Sequence, residues 1–83
     1  MYLDVRTNEE WAEGHVKEAL HFELARFEAG EFPDLPKDTE IKIYCGSGAR
    51  AEIAKSILDS AGFSNVTNAG GLDDLRDQGL LIE

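Results

Sequence analysis

Cys45 is the only cysteine in the chain, and it opens the run Cys45-Gly46-Ser47-Gly48-Ala49-Arg50. A sulfur nucleophile acts as the thiolate, which is favoured by nearby hydrogen-bond donors and positive charge. Two glycines in three positions let the backbone curl tightly, with no side chains in the way, and turn its N–H groups toward one point. Arg50 ends the run with a permanent cation, suited to holding the anionic end of a substrate and to favouring a thiolate. Cys45 is therefore a candidate catalytic residue, with Gly46, Ser47, Gly48, Ala49 and Arg50 as candidate substrate-binding positions. Plainer readings stand beside these. A cysteine after a buried strand is often a small core residue, and a helix-start arginine often pairs with a surface carboxylate.

Those residues need elements to hold them. Ile41, Ile43 and Tyr44 read as an apolar strand that stops at Cys45. After the loop, Ala51, Ala54, Ile57, Leu58 and Ala61 recur at helical steps, with Glu52, Lys55, Ser56 and Asp59 on the opposite face. Strand, tight loop and helix together aim backbone N–H groups, and the positive end of the helix dipole, at the cysteine.

The rest of the chain alternates in the same way. Tyr2–Val5 reads as a strand, and Thr7-x-x-Glu10 as a capping box opening a helix that Gly14 ends, with Trp11 on its buried face. Lys17–Glu23 is expected to hold a second strand containing Ala19, His21 and Phe22. Leu24–Ala29 reads as a short helix with Leu24 and Phe27 inward, and Phe32–Pro36 as a proline-bounded loop. Gly62 stops the long helix, Asn65–Thr67 is a last short strand, and Gly70-Gly71 allows a sharp turn close to the cysteine loop. Leu72, Leu75 and Leu80 mark a final helix, with Asp73 and Asp74 favourable in its first turn. The alternation predicts an α/β fold, a small mostly parallel sheet flanked by helices on both faces. In such sheets ligands bind beyond the carboxyl ends of the strands, where Cys45 would lie. Asp4 and Arg6, two apart on an extended strand, share a side and are read as fixing loops at that edge. His15 is read as a packed histidine bonded to backbone, with a proton donor near the site as the other reading.

The loop resembles the active-site loop of the rhodanese family of sulfurtransferases. Leu3-Asp4-Val5-Arg6 with Glu10-Trp11 is similar to that family's opening element, Gly14-His15-Val16 to its Gly-His-Ile signature, and Asn68-Ala69-Gly70-Gly71 to its closing turn. The resemblance implies one rhodanese-like domain over 1–83. It implies transfer of a sulfane sulfur from a small anionic donor such as thiosulfate, through a Cys45 persulfide, to cyanide or a thiol. The loop's N–H groups would then hold the thiolate, the persulfide and the oxyanion of a leaving sulfite in turn. No metal and no cofactor are needed. The Cys45-Gly46-Ser47-Gly48 start is similar to the mercaptopyruvate branch, but Ala49-Arg50 departs from that branch's usual Val-Thr. A second departure is Glu18-Ala19-Leu20-His21-Phe22-Glu23, which lacks the family's usual glycine and proline.

Composition narrows the partners. Seventeen acidic residues against 8 basic give a net charge of −9. No basic run offers a nucleic-acid surface, and no long apolar run or secretory leader is present. A monomer in the cytoplasm is expected, or the periplasm if a leader was removed, since the first strand begins almost at Met1. A lone cysteine leaves no internal disulfide. Three rivals remain for the site: a phosphatase, although Arg50 comes one residue early for Cys-x5-Arg; a persulfide carrier serving a partner protein; and a non-catalytic binding module.

Overall fold

The computed structural model describes residues 1–83. Eight elements follow one another in strict alternation: β1 (Tyr2–Asp4), α1 (Asn8–Glu13), β2 (Leu20–His21), α2 (Leu24–Glu28), β3 (Ile41–Cys45), α3 (Ala49–Ser60), β4 (Val66–Gly71) and α4 (Leu72–Asp77). The strands form one sheet in the order β2-β1-β3-β4, and every pairing between them is parallel. An isolated antiparallel bridge, Val16 to Ile82, ties the chain's end to the segment after α1. No helix is long and apolar enough to cross a membrane.

Alternation along β1 and β3 sorts side chains to the two faces of the sheet. Leu3, Val5, Ile41, Ile43 and Cys45 join Phe27 of α2 and Ala51, Ala54 and Leu58 of α3 in the larger core. Tyr44 faces the other way, with Val16 and Leu75 of α4. Full burial of a leucine or isoleucine contributes about 1.5–3 kcal/mol, so buried Leu3, Ile41, Ile43 and Leu58 each matter more than a surface ion pair. The fold is thus α/β with helices on both faces, as the alternation predicts. β3 is an inner strand, and its C-terminal end is the place from which a ligand site would open.

Several element boundaries differ from expectation. β2 keeps only Leu20 and His21 of the expected Lys17–Glu23 strand. Lys17 and Ala19 bond to Leu81 and Val16 instead of to a strand, and Glu18 adopts a left-handed φ of 69°. β4 does not stop at Thr67 but runs on through Asn68 to Gly71, because Gly71 pairs with Cys45. The final helix ends at Asp77, so Leu80 packs from beyond it. Trp11 is half-buried rather than buried: it stacks on His15 with ring centroids 3.5 Å apart and on His21 at 4.6 Å.

Other local expectations hold. Thr7 and Glu10 form the capping box, and Gly14 caps the C-terminus of α1. Gly62 follows α3 with φ 94°, and the Phe63 N–H bonds back to Leu58. Asp4 and Arg6 form a buried bidentate pair, with Arg6 Nη2 donating also to the Gly14 carbonyl at 2.6 Å. That pair ties β1 to the turn after α1, beside the carboxyl edge of the sheet. His15 Nδ1 lies 2.9 Å from the Trp11 carbonyl oxygen, the backbone-bonded arrangement. Tyr44 accepts the Val16 N–H at 3.0 Å, and its burial, with Asp4 nearby, pushes the phenol far above its ordinary pKa.

Candidate active site

β3 ends on Cys45, and α3 begins only four residues later, at Ala49. The chain reverses in that space because Gly48 takes a left-handed φ of 100°, which side-chain-bearing residues rarely adopt. Beneath the turn, β3 and β4 slip out of register. Ile43 pairs with Asn68 but Cys45 pairs with Gly71, so β4 carries an extra residue, a β-bulge. The bulge brings the Gly70-Gly71 backbone against the loop. A Cβ on Gly71 would overlap the Gly46 carbonyl oxygen and come within 2.8 Å of its carbon. The close approach expected of this glycine pair is therefore real, although it occurs inside a strand.

Within this frame the backbone turns inward on sulfur. The Gly48 N–H donates to Cys45 Sγ at 2.9 Å. Cys45 is completely buried, which on its own would push the thiol pKa up. The surrounding amides of Ala51, Ser47, Gly48 and Arg50 favour the charged sulfur and together outweigh burial, so Cys45 lies below the ordinary thiol value. Cys45 is thus a core residue by packing, with its sulfur held by the Gly48 N–H. Gly46, Ser47 and Ala49 are exposed along the outside of the loop.

Arg50 sits over the loop, but not alone. Its Nη1 and Nη2 donate to Glu10 Oε1 and Oε2 at 2.6 and 2.9 Å. A Cβ on Gly46 would lie 3.1 Å from Arg50 Nη2 and 3.8 Å from Glu10 Oε2. The ion pair therefore stands directly above the residue after the cysteine. The Arg50 pKa is raised by Glu10 first, and by the nearby Cys45 in addition. The hydrogen bond from Arg50 holds Glu10 down at about 2, against the opposing effect of burial, with help from the Thr7 N–H.

Two residues of this site went unread as site residues in the sequence. Glu10 carries the capping-box signal, which explains the start of α1 and hides its contact with a loop 40 positions away. Asn68 donates from Nδ2 to the Gly48 carbonyl at 3.0 Å and accepts the Gly70 N–H on Oδ1 at 2.9 Å, pinning the loop to the bulge. Its local signal was present: Asn-x-Gly is the sequence of an Asx turn. Asp4, Arg6 and His15 keep to structural contacts, and none bonds to Cys45.

A parallel α/β sheet with a buried cysteine in an amide-lined loop at its carboxyl edge is the arrangement of a rhodanese-like domain. The chain belongs to the rhodanese-like domain family, whose model matches residues 1–78. Among curated relatives, the thiosulfate sulfurtransferase PspE of Escherichia coli strain K12 is 36% identical over 77 residues, covering 89% of this chain and 72% of that protein. A tRNA uridine(34) hydroxylase of Chlamydia abortus is 35% identical over 80 residues, but this chain spans only 24% of its length. Among solved structures, the Rhodanese_3 like domain of the Anabaena sp. Alr3790 protein superposes with a TM-score of 0.89 at 27% identity, covering 100% of this chain and 97% of that one. The fold is shared throughout, while the chemistry named for the relatives differs.

Proposed function

We propose that this protein is a sulfurtransferase that takes the outer sulfur of thiosulfate onto Cys45 and passes it to a thiol or to cyanide. One observation carries the reading: Cys45 Sγ accepts the Gly48 N–H at 2.9 Å, within a loop whose other amides also stabilise its negative charge. The Cys45 thiolate attacks the sulfane sulfur, the S–S bond of thiosulfate breaks, and sulfite leaves with the electron pair. A new S–S bond now joins Cys45 to the transferred atom. Cyanide or a thiolate then attacks that terminal sulfur, and the Cys45 thiolate departs into the same ring of amides. Each negatively charged state of the cycle is met by the same preorganised N–H groups. PspE, the relative named for this activity, supports thiosulfate as the donor. Phosphatase chemistry is disfavoured because Arg50 comes one residue early for a Cys-x5-Arg phosphate loop.

Incubation with thiosulfate, followed by intact mass measurement, should give a protein heavier by one sulfur atom, and cyanide should return it to the starting mass while releasing thiocyanate. An unchanged mass under excess thiosulfate would remove the thiosulfate claim. A mass gain that survives Cys45→Ser would remove Cys45 from the chemistry.

A further inference from the structure

We infer that Glu10 is a specificity-determining residue: by holding both ends of the Arg50 guanidinium above the Cys45 loop, it sets how much negative charge a sulfur donor can carry. This deepens the sulfur-transfer reading and rests on it. Arg50 is the cation that stands over the loop beside Gly46, and Glu10 meets its charge through two short hydrogen bonds. A donor approaching past Gly46 therefore faces a neutral pair, the guanidinium 3.1 Å and the Glu10 carboxylate 3.8 Å from where a Gly46 Cβ would stand. Attraction is left to the amides, which suffices for a monoanion or a neutral persulfide. A dianion such as thiosulfate is still accepted, but more slowly than it would be beside an unpaired guanidinium. The charge effect acts across a few ångströms, well inside the screening length of about 10 Å at 0.1 M salt.

Glu10→Gln separates this role from the structural one. Glutamine serves at the third position of a capping box as glutamate does, so the start of α1 is retained, and a thermal melt checks it. The probe is alkylation of Cys45 by iodoacetate and by iodoacetamide. In both reactions the thiolate forms a bond to carbon and iodide leaves, so the two reagents differ by one carboxylate. Any loop opening needed to reach the buried sulfur is shared, and it cancels in the ratio of the two rates. The expected result in Glu10→Gln at low salt is a rise of about three- to tenfold in the iodoacetate-to-iodoacetamide ratio, shrinking at high salt. Adding Arg50→Ala should bring the ratio back toward the parent's. An unchanged ratio in Glu10→Gln overturns the proposal.

Sulfur donors provide the second arm. Glu10→Gln should speed persulfide formation from thiosulfate, a dianion, several-fold more than from methanethiosulfonate, a monoanion. Equal changes with the two donors would overturn the specificity role. The alkylation arm requires no sulfur transfer. A protein that took sulfur from neither donor would therefore count against the activity, and the ratio would still decide whether Glu10 controls charge at the site.

Discussion

Cys45 shows how two opposed effects are settled at one atom. Burial in the core raises its pKa, and the amides of the loop lower it by more. The net direction predicts that the rate of iodoacetamide alkylation against pH has its midpoint below the value of about 8.5 for a free cysteine. No other thiol competes for the reagent. A midpoint at or above the free value would mean that the amides do not converge on sulfur in solution. The amide-lined loop around Cys45 was legible because a lone cysteine followed by closely spaced glycines is a local pattern. Glu10 and Asn68 were not legible as parts of the site, since both act through contacts across the fold. Asn68 bonds to Gly48, 20 positions away, and Glu10 to Arg50, 40 positions away. Arg50 had two readings in the sequence, a substrate grip and a paired helix-start cation. The geometry shows the pairing, and shows it directly over the loop, where it bears on chemistry.

At the scale of elements, period and punctuation located α1, α2, α3 and β3 to within a residue or two, because each has a cap, a glycine stop or an unbroken apolar face. β2 and β4 were misjudged for a common reason: strand ends depend on what the neighbouring strand offers. Only Leu20 and His21 find partners on β1, at Leu3 and Asp4. β4 extends to Gly71 because Cys45 is there to pair with it. The connection into β2 also carries strain. Glu18 sits at φ 69°, in the left-handed region that costs a residue with a Cβ roughly 1–2 kcal/mol. Glycine removes that cost but loses about 0.5–1 kcal/mol through the greater freedom of its unfolded chain. Glu18→Gly is therefore expected to stabilise the protein by about 0.5–1 kcal/mol, or about 4–8 °C in Tm per kcal/mol for a domain of this size. The side chain is exposed, so little packing is forfeited. A lower melting temperature in the variant would show that the left-handed turn is not strained.

Across the whole molecule, the Glu10–Arg50 pair is the tie between the start of α1 and the start of α3, and it couples stability to pH. Arg50 stays charged at every accessible pH, so Glu10 alone decides when the pair exists. Its carboxyl lies at about 2 in the folded protein against an ordinary 4.5. The folded state thus holds the charged form more strongly than the unfolded chain does. The pair's contribution is fully present above about pH 4.5 and is lost as the pH falls toward 2. Both side chains are about a third exposed, so solvent screening keeps the contribution to about 0.5–1 kcal/mol, below what the pKa alone would suggest. Total acid stability includes many of the other 16 carboxylates, but the difference between the parent and Glu10→Gln isolates this one. Urea melts of the two proteins should differ by about 0.5–1 kcal/mol at pH 7, the parent being the more stable. The gap should narrow below about pH 4.5 and close near 2. A gap of the same size at pH 7 and at the acid end would mean that glutamine disturbs the capping box rather than the ion pair. No gap at either end would mean that the pair spans the two helices without holding them.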